Sequence, residues 1–130
     1  MFEEAEQIIE TALQSNWHLT EIDFDNVQFN SSLGTSYVSC NIEWYDAYNV
    51  GPTKVRNAGY ISLSAFVPLN VGARIATKYI DELNFLFQGL RIGNLHIKPG
   101  QVQRVGERDG WYQKSLSVPF YYDYCKGVTT

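Results

Sequence analysis

Alternation and helical spacing divide the chain into a short series of elements. Phe2, Ala5, Ile9, Ala12 and Leu13 fall on one stripe with acids around the rest, which predicts an amphipathic helix over 2–15. The stretch LTEIDFDNVQFNSSLGTS that follows shows neither period. It is expected to be irregular but packed, with Phe24, Val27 and Phe29 available to pin it to the core. Strands are predicted at about 36–47, where Val38, Cys40, Ile42 and Trp44 share a face, and at about 58–69, where Ile61, Leu63, Ala65 and Val67 do. Between them YNVGPTKVRNAG carries Gly-Pro and Asn-Ala-Gly, the marks of a long turn that would expose Lys54 and Arg56 at a polar tip.

The clearest helical period lies in NVGARIATKYIDELNFLFQG, where Ala76, Ile80, Leu83, Phe87 and Leu90 recur at spacings of four and three. Asn70 is placed to cap this helix and Gly89 to end it. Phe85 sits about 200° around the wheel from Leu83, on the polar side, so it needs a partner from another segment or a neighbouring subunit. NLHIK, QVQRVGERDG and the long run GWYQKSLSVPFYYDYC then supply a further strand and a hairpin. Within the last run Leu116, Val118, Phe120 and Tyr122 face one way and Cys125 the other, which argues against a Cys40 to Cys125 disulfide. The predicted fold is α+β. It is a two-layer domain in the order α-β-β-α-β-β-β, with a mostly antiparallel or mixed sheet of about five strands and an N-terminal and a central helix packed on it.

Length changes this picture little, since 130 residues with 45% hydrophobic composition fit one domain over 1–130. Charge adds more. Residues 1–53 hold nine acids and neither Lys nor Arg, whereas residues 54–130 hold all ten bases and five acids. That asymmetry can give opposed surfaces that steer association. No apolar run approaches the ~18 residues of a membrane span, and MFEEAEQIIE is acidic where a secretory signal would be basic, so a protein made in the cytoplasm is expected. Asn30-Ser31-Ser32 matches a glycosylation sequon but reads as a polar turn.

Candidate chemistry is sparse. His18 and His96 lack metal-ligand companions, phosphate-cradling and nucleophile-elbow motifs are missing, and Glu107 with Asp109 in GERDG read as a solvated turn. Tyr121, Tyr122 and Tyr124 beside Lys126 could stack on bases, but an acidic chain without a nucleic-acid motif argues against it. An enzyme or small-ligand binder would need a convergent polar cluster, and none is evident. No catalytic residue, cofactor or metal is expected.

The run from NVQF (Asn26 to Phe29), through AGYISLSAFVPLNVGARIATKYIDELNFLFQGLRI, to GWYQKSLSVPFYYDY resembles the tail terminator family of long-tailed bacteriophages, of the lambda-like minor tail protein kind. Its members show the same order of N-terminal helix, N-x-x-F, a strand ending in V-P, a helix ending in L-F, and a G-W-Y strand that runs into V-P-F. The likeness spans nearly the whole chain, but the family offers no invariant functional side chain to carry over. It implies a hexameric ring on the head-proximal end of the tail tube. Such a ring stops tube polymerisation and offers the head or neck connector its attachment surface, while viral DNA passes through without sequence-specific contact. It also implies a place in the virion, after synthesis in the host cytoplasm. Another neck or head-tail adaptor ring would share the same physics. A closed ring needs two different surfaces per subunit. The charge split nominates Glu6 and Glu10 for one, Lys54, Arg56, Arg104 and Arg108 for the other, and Phe85 for apolar contact.

Overall fold

A computed structural model describes residues 2–24, 36–69, 72–108 and 110–125. In chain order the elements are α1 (Phe2–Asn16), β1 (Glu21–Phe24), β2 (Tyr37–Asn49), β3 (Lys54–Pro68), α2 (Ala73–Phe87), β4 (Arg91–Ile92), β5 (Leu95–Ile97), β6 (Gln101–Arg108) and β7 (Trp111–Cys125). Fifteen residues of β3 pair antiparallel with all of β7, from Lys54 opposite Cys125 to Pro68 opposite Trp111. On the far side of β3 lies β2, with β1 parallel to it at the edge. The far side of β7 is shared: β6 pairs with its first half and β5 with Phe120, Tyr121 and Tyr122, with β4 beyond β5.

The expected α+β domain with about five strands is therefore corrected. The described residues hold seven strands in one curled, mixed, half-barrel sheet, strand makes up 54% of them, and the chain is mostly β with two helices. Three features account for the difference. The segment expected to be irregular contains β1, whose four residues are too short to display a period but satisfy their backbone groups against β2. A two-residue strand, β4, hides in the turn after α2. Most of the expected long turn is ladder, with Asn49 opposite Val55 and Ala47 opposite Asn57, so only 50–53 connects β2 to β3. Val27, Phe29, the sequon at Asn30 and Asn70 lie outside the described residues, but the N-cap position of α2 is Gly72, at φ 99° and without a side-chain cap bond, which corrects the expected cap at Asn70.

Side-chain alternation gives the sheet two unlike faces. Val38 and Cys40 of β2, Ile61, Leu63 and Ala65 of β3, and Leu116, Val118, Phe120 and Tyr122 of β7 turn to one face and are buried. Both helices cover that face: α1 through Ala5, Ile9 and Leu13, and α2 through Ile80, Leu83 and Phe87, with Ala76 in a smaller cluster beside Val67 and Tyr112. Each buried Ile, Leu or Phe stabilises by roughly 1.5–3 kcal/mol, so this seam dominates the packing energy. The helical stripe in α2 is as predicted, with Leu90 half-buried against it and Gly89 at φ 70° just past the last turn. Cys40 lies opposite Leu63 and Cys125 opposite Lys54, nine residues apart along β3, and both thiols are free.

Gly59 allows the aromatic end of the core. It pairs with Trp44 on one side and Phe120 on the other, whose rings meet edge to face at 5.0 Å, with Phe2 against Trp44 at 4.8 Å. A Cβ at Gly59 would collide with the Glu43 carbonyl and come within 3.0 Å of the Phe120 ring. Gly59→Ala is therefore expected to cost about 1–3 kcal/mol, read as a lowered urea midpoint with an unchanged slope. A variant as stable as the parent would show that the ring stack does not need this gap.

Candidate functional site

The face of the sheet turned away from the helices carries a cationic and aromatic cluster at its β5 end. Arg56, on the outward parity of β3, gives a two-pronged pair to Asp123 of β7, Nε to Oδ1 at 2.8 Å and Nη2 to Oδ2 at 3.0 Å. Lys54 Nζ approaches the same carboxylate at 3.5 Å. Although Asp123 is buried, its charge is compensated, and hydrogen bonding from Arg56 holds its carboxyl below the usual carboxylate range. The same contact strengthens the hold of Arg56 on its proton.

Tyr121 links this pair to β5. The Arg56 guanidinium lies 4.0 Å from its ring centroid, and the His96 ring stacks on it at 4.6 Å and 11°. Lys98 Nζ is 5.6 Å from the same ring, and Arg91 pairs across the β4–β5 ladder with His96. Burial, then the neighbouring Arg91, lowers the His96 pKa, so its ring is neutral near pH 7. Lys54 and Arg56 thus hold Asp123, while Arg91 and Lys98 add two further cations beside His96 and Tyr121, in a chain whose net charge is −4.

On the other side of the molecule α1 and α2 leave an open groove of about 1140 Å³. Ile8, Ala12, Leu86, Leu90 and Ile92 line it, and Phe85, 83% exposed, stands on its wall. Glu4 and Glu82 border it with one cation, Lys78, and His18. Gln7, Thr11, Ser15 and Asn16 add polar groups along its α1 side, so Phe85 stands exposed beside a mixed, mainly apolar floor of the kind that contact surfaces present. Groups of three or more His, Cys, Asp or Glu able to hold a metal do not occur among the described residues.

The residues nominated from the charge split separate into three kinds. Glu6 accepts a 2.8 Å hydrogen bond from Trp44 Nε1 and is half-buried, so it fixes α1 to β2. Arg56 is likewise committed within the chain, not displayed at a tip. Lys54 and Phe85 remain exposed, and Glu10 is half-buried on α1. Arg104 and Arg108 lie on β6 opposite Lys114 and Trp111, at the end of β7 far from Asp123, and their side chains lie outside the described residues. The single basic surface expected from Lys54, Arg56, Arg104 and Arg108 is corrected to two separate places, since Lys114 and Asp123 stand nine residues apart, roughly 30 Å along one strand. Sequence reasoning missed Asp123, Arg91 and Lys98, and it weighed His96 only as a metal ligand and Tyr121 only as a base-stacking residue. The signal was weak, because they come together only through outward parity on β4, β5 and β7, whose register was unknown, with Lys98 just past the end of β5.

No protein-family model and no curated protein matches the chain. A solved structure does share the fold, with a TM-score of 0.66 at 15% identity over 92% of this chain and 96% of that one. At that identity the likeness establishes fold alone. None of the helices among the described residues is long and apolar enough to cross a membrane.

Asp123→Asn is expected to lower the unfolding free energy by roughly 1.5–3 kcal/mol at neutral pH, the range for hydrogen bonds to a charged group. Folding lowers this carboxyl's pKa, so its contribution is complete above the ordinary value of 3.8 and is lost as pH falls below that toward the lowered folded value. Urea titrations across that acid range should show the parent losing stability faster than the variant. Parallel curves would refute the assignment.

Proposed function

We propose that the chain is a phage tail terminator, a subunit of a hexameric ring that caps the head-proximal end of the tail tube. The ring halts tube polymerisation and presents the head or neck connector with its attachment surface, and viral DNA passes through it in the mature virion. The observation that carries this reading is the ordered set of sequence features, N-x-x-F at Asn26 to Phe29, V-P at Val67 and Pro68, L-F at Leu86 and Phe87, and G-W-Y running into V-P-F from Gly110 to Phe120, spread over nearly the whole chain.

Geometry is consistent with a structural role. Among the described residues two surfaces stand out: an exposed groove on the helix layer and a cationic, aromatic cluster on the open sheet face. A ring subunit requires two such unlike surfaces, because each contact in a ring joins different patches.

Deleting the gene from its phage and imaging the particles tests the proposal. Overlong tails without heads are expected. Tails of normal length, or normal tails beside unjoined heads, would reject the capping role.

A further inference from the structure

We infer that the end of the β2–β3 hairpin of one subunit docks in the α1–α2 groove of a second copy of this chain. The inference rests on the ring reading, which demands a heterologous contact, but its geometry is independent of any phage partner. The hairpin end exposes Tyr48 (46%) and Val50 (38%), with Tyr45 (64%) behind them on the bulge between Trp44 and Asp46. Tyr48 is tied to Arg56 and the Tyr45 ring lies 6.2 Å from that of Tyr60, but all three side chains keep an exposed edge. The groove offers the matching deficit, an apolar floor and the exposed Phe85.

Charge selects this pairing over others. Lys54 closes the hairpin, half-exposed though 3.5 Å from Asp123, which also holds Arg56; Asp46 stands nearby on β2, and Arg91 and Lys98 add two cations across β7 at the β4–β5 edge. The groove is bordered by Glu4 and Glu82 against Lys78, on a helix layer whose first helix also displays Glu3. A basic, apolar hairpin end therefore meets an acidic, apolar groove. The cations of the hairpin region leave the sheet on the face opposite the helices, so a subunit does not bring them to its own groove. Two copies satisfy both surfaces, and the second copy is left with its own hairpin unfilled, so the contact propagates until a ring closes. Exposed ion pairs contribute only ~0–1 kcal/mol each, so the apolar groups supply the affinity and the charges set orientation.

Zero-length carbodiimide cross-linking tests this directly. An equal mixture of nitrogen-15-labelled and unlabelled chain, concentrated at low salt, is treated and digested, and cross-linked peptides are weighed. Mixed-isotope pairs joining Lys54 to Glu4 or Glu82 are expected. Val50→Asp and Phe85→Asp, both at exposed positions, should each reduce this product about ten-fold when present in every chain. Mixing the two variants should restore it in one direction only, from the Phe85→Asp chain's hairpin to the Val50→Asp chain's groove. Mixed-isotope links confined to other sites, or no restoration on mixing, would overturn the inference. So would a result in which Lys54 is protected by duplex DNA and joins no second copy. The assay uses purified chain, so links found alongside normal-length tails in the deletion would retain the contact and reject the terminator, and the converse pattern would do the reverse.

Discussion

Everything in this molecule hangs on the fifteen-row ladder between β3 and β7. Because it runs without a register shift, every second residue of both strands is committed to the same face over its entire length. One commitment gives the apolar seam from Phe120 to Val67 that holds both helices. The other sets Arg56, Asp123 and Tyr121 side by side on the open face, where the guanidinium satisfies a carboxylate that would otherwise be costly to bury. A one-residue slip would exchange the two faces, placing the charge pair in the core and the core in water.

Where a period was long enough to measure, the residues announced the structure. The α2 stripe, the inward set on β2 and β3 and the parity of β7 follow directly from spacing, because a long seam of apolar side chains repeats several times. Short elements escaped for the converse reason. Glu21–Phe24 is stabilised as a parallel edge strand by pairing with β2, a tertiary fact that four residues cannot encode. Gly51 and Pro52 marked a turn correctly, but Asn57, Ala58 and Gly59 looked like its continuation when they form the buried start of a central strand. Turn-forming residues are tolerated there because Gly59 makes room for Trp44 and Phe120.

The surfaces were legible only in part. Net charge by segment pointed to opposed acidic and basic regions, and Phe85 stood out as an aromatic on a polar flank. What charge counting could not show is which charges are already spent. Glu6 is committed to Trp44, and Arg56 to Asp123, sixty-seven residues away in sequence. Pairings of that kind depend on register between distant strands, so a count of Lys and Arg along the chain overstates the charge available to a partner.

What remains outward is a chain with a cationic, aromatic cluster on one side of its sheet and an acidic-bordered groove on the other, the two surfaces on which the proposed ring would be built. Electron cryomicroscopy of completed tails at their head-proximal end would test this most directly. Six copies are expected on the terminal turn of the tube, each with its α1–α2 groove filled by the β2–β3 hairpin of its neighbour. A density whose fold does not fit this chain, or a ring in which Phe85 and the groove face solvent, would contradict it.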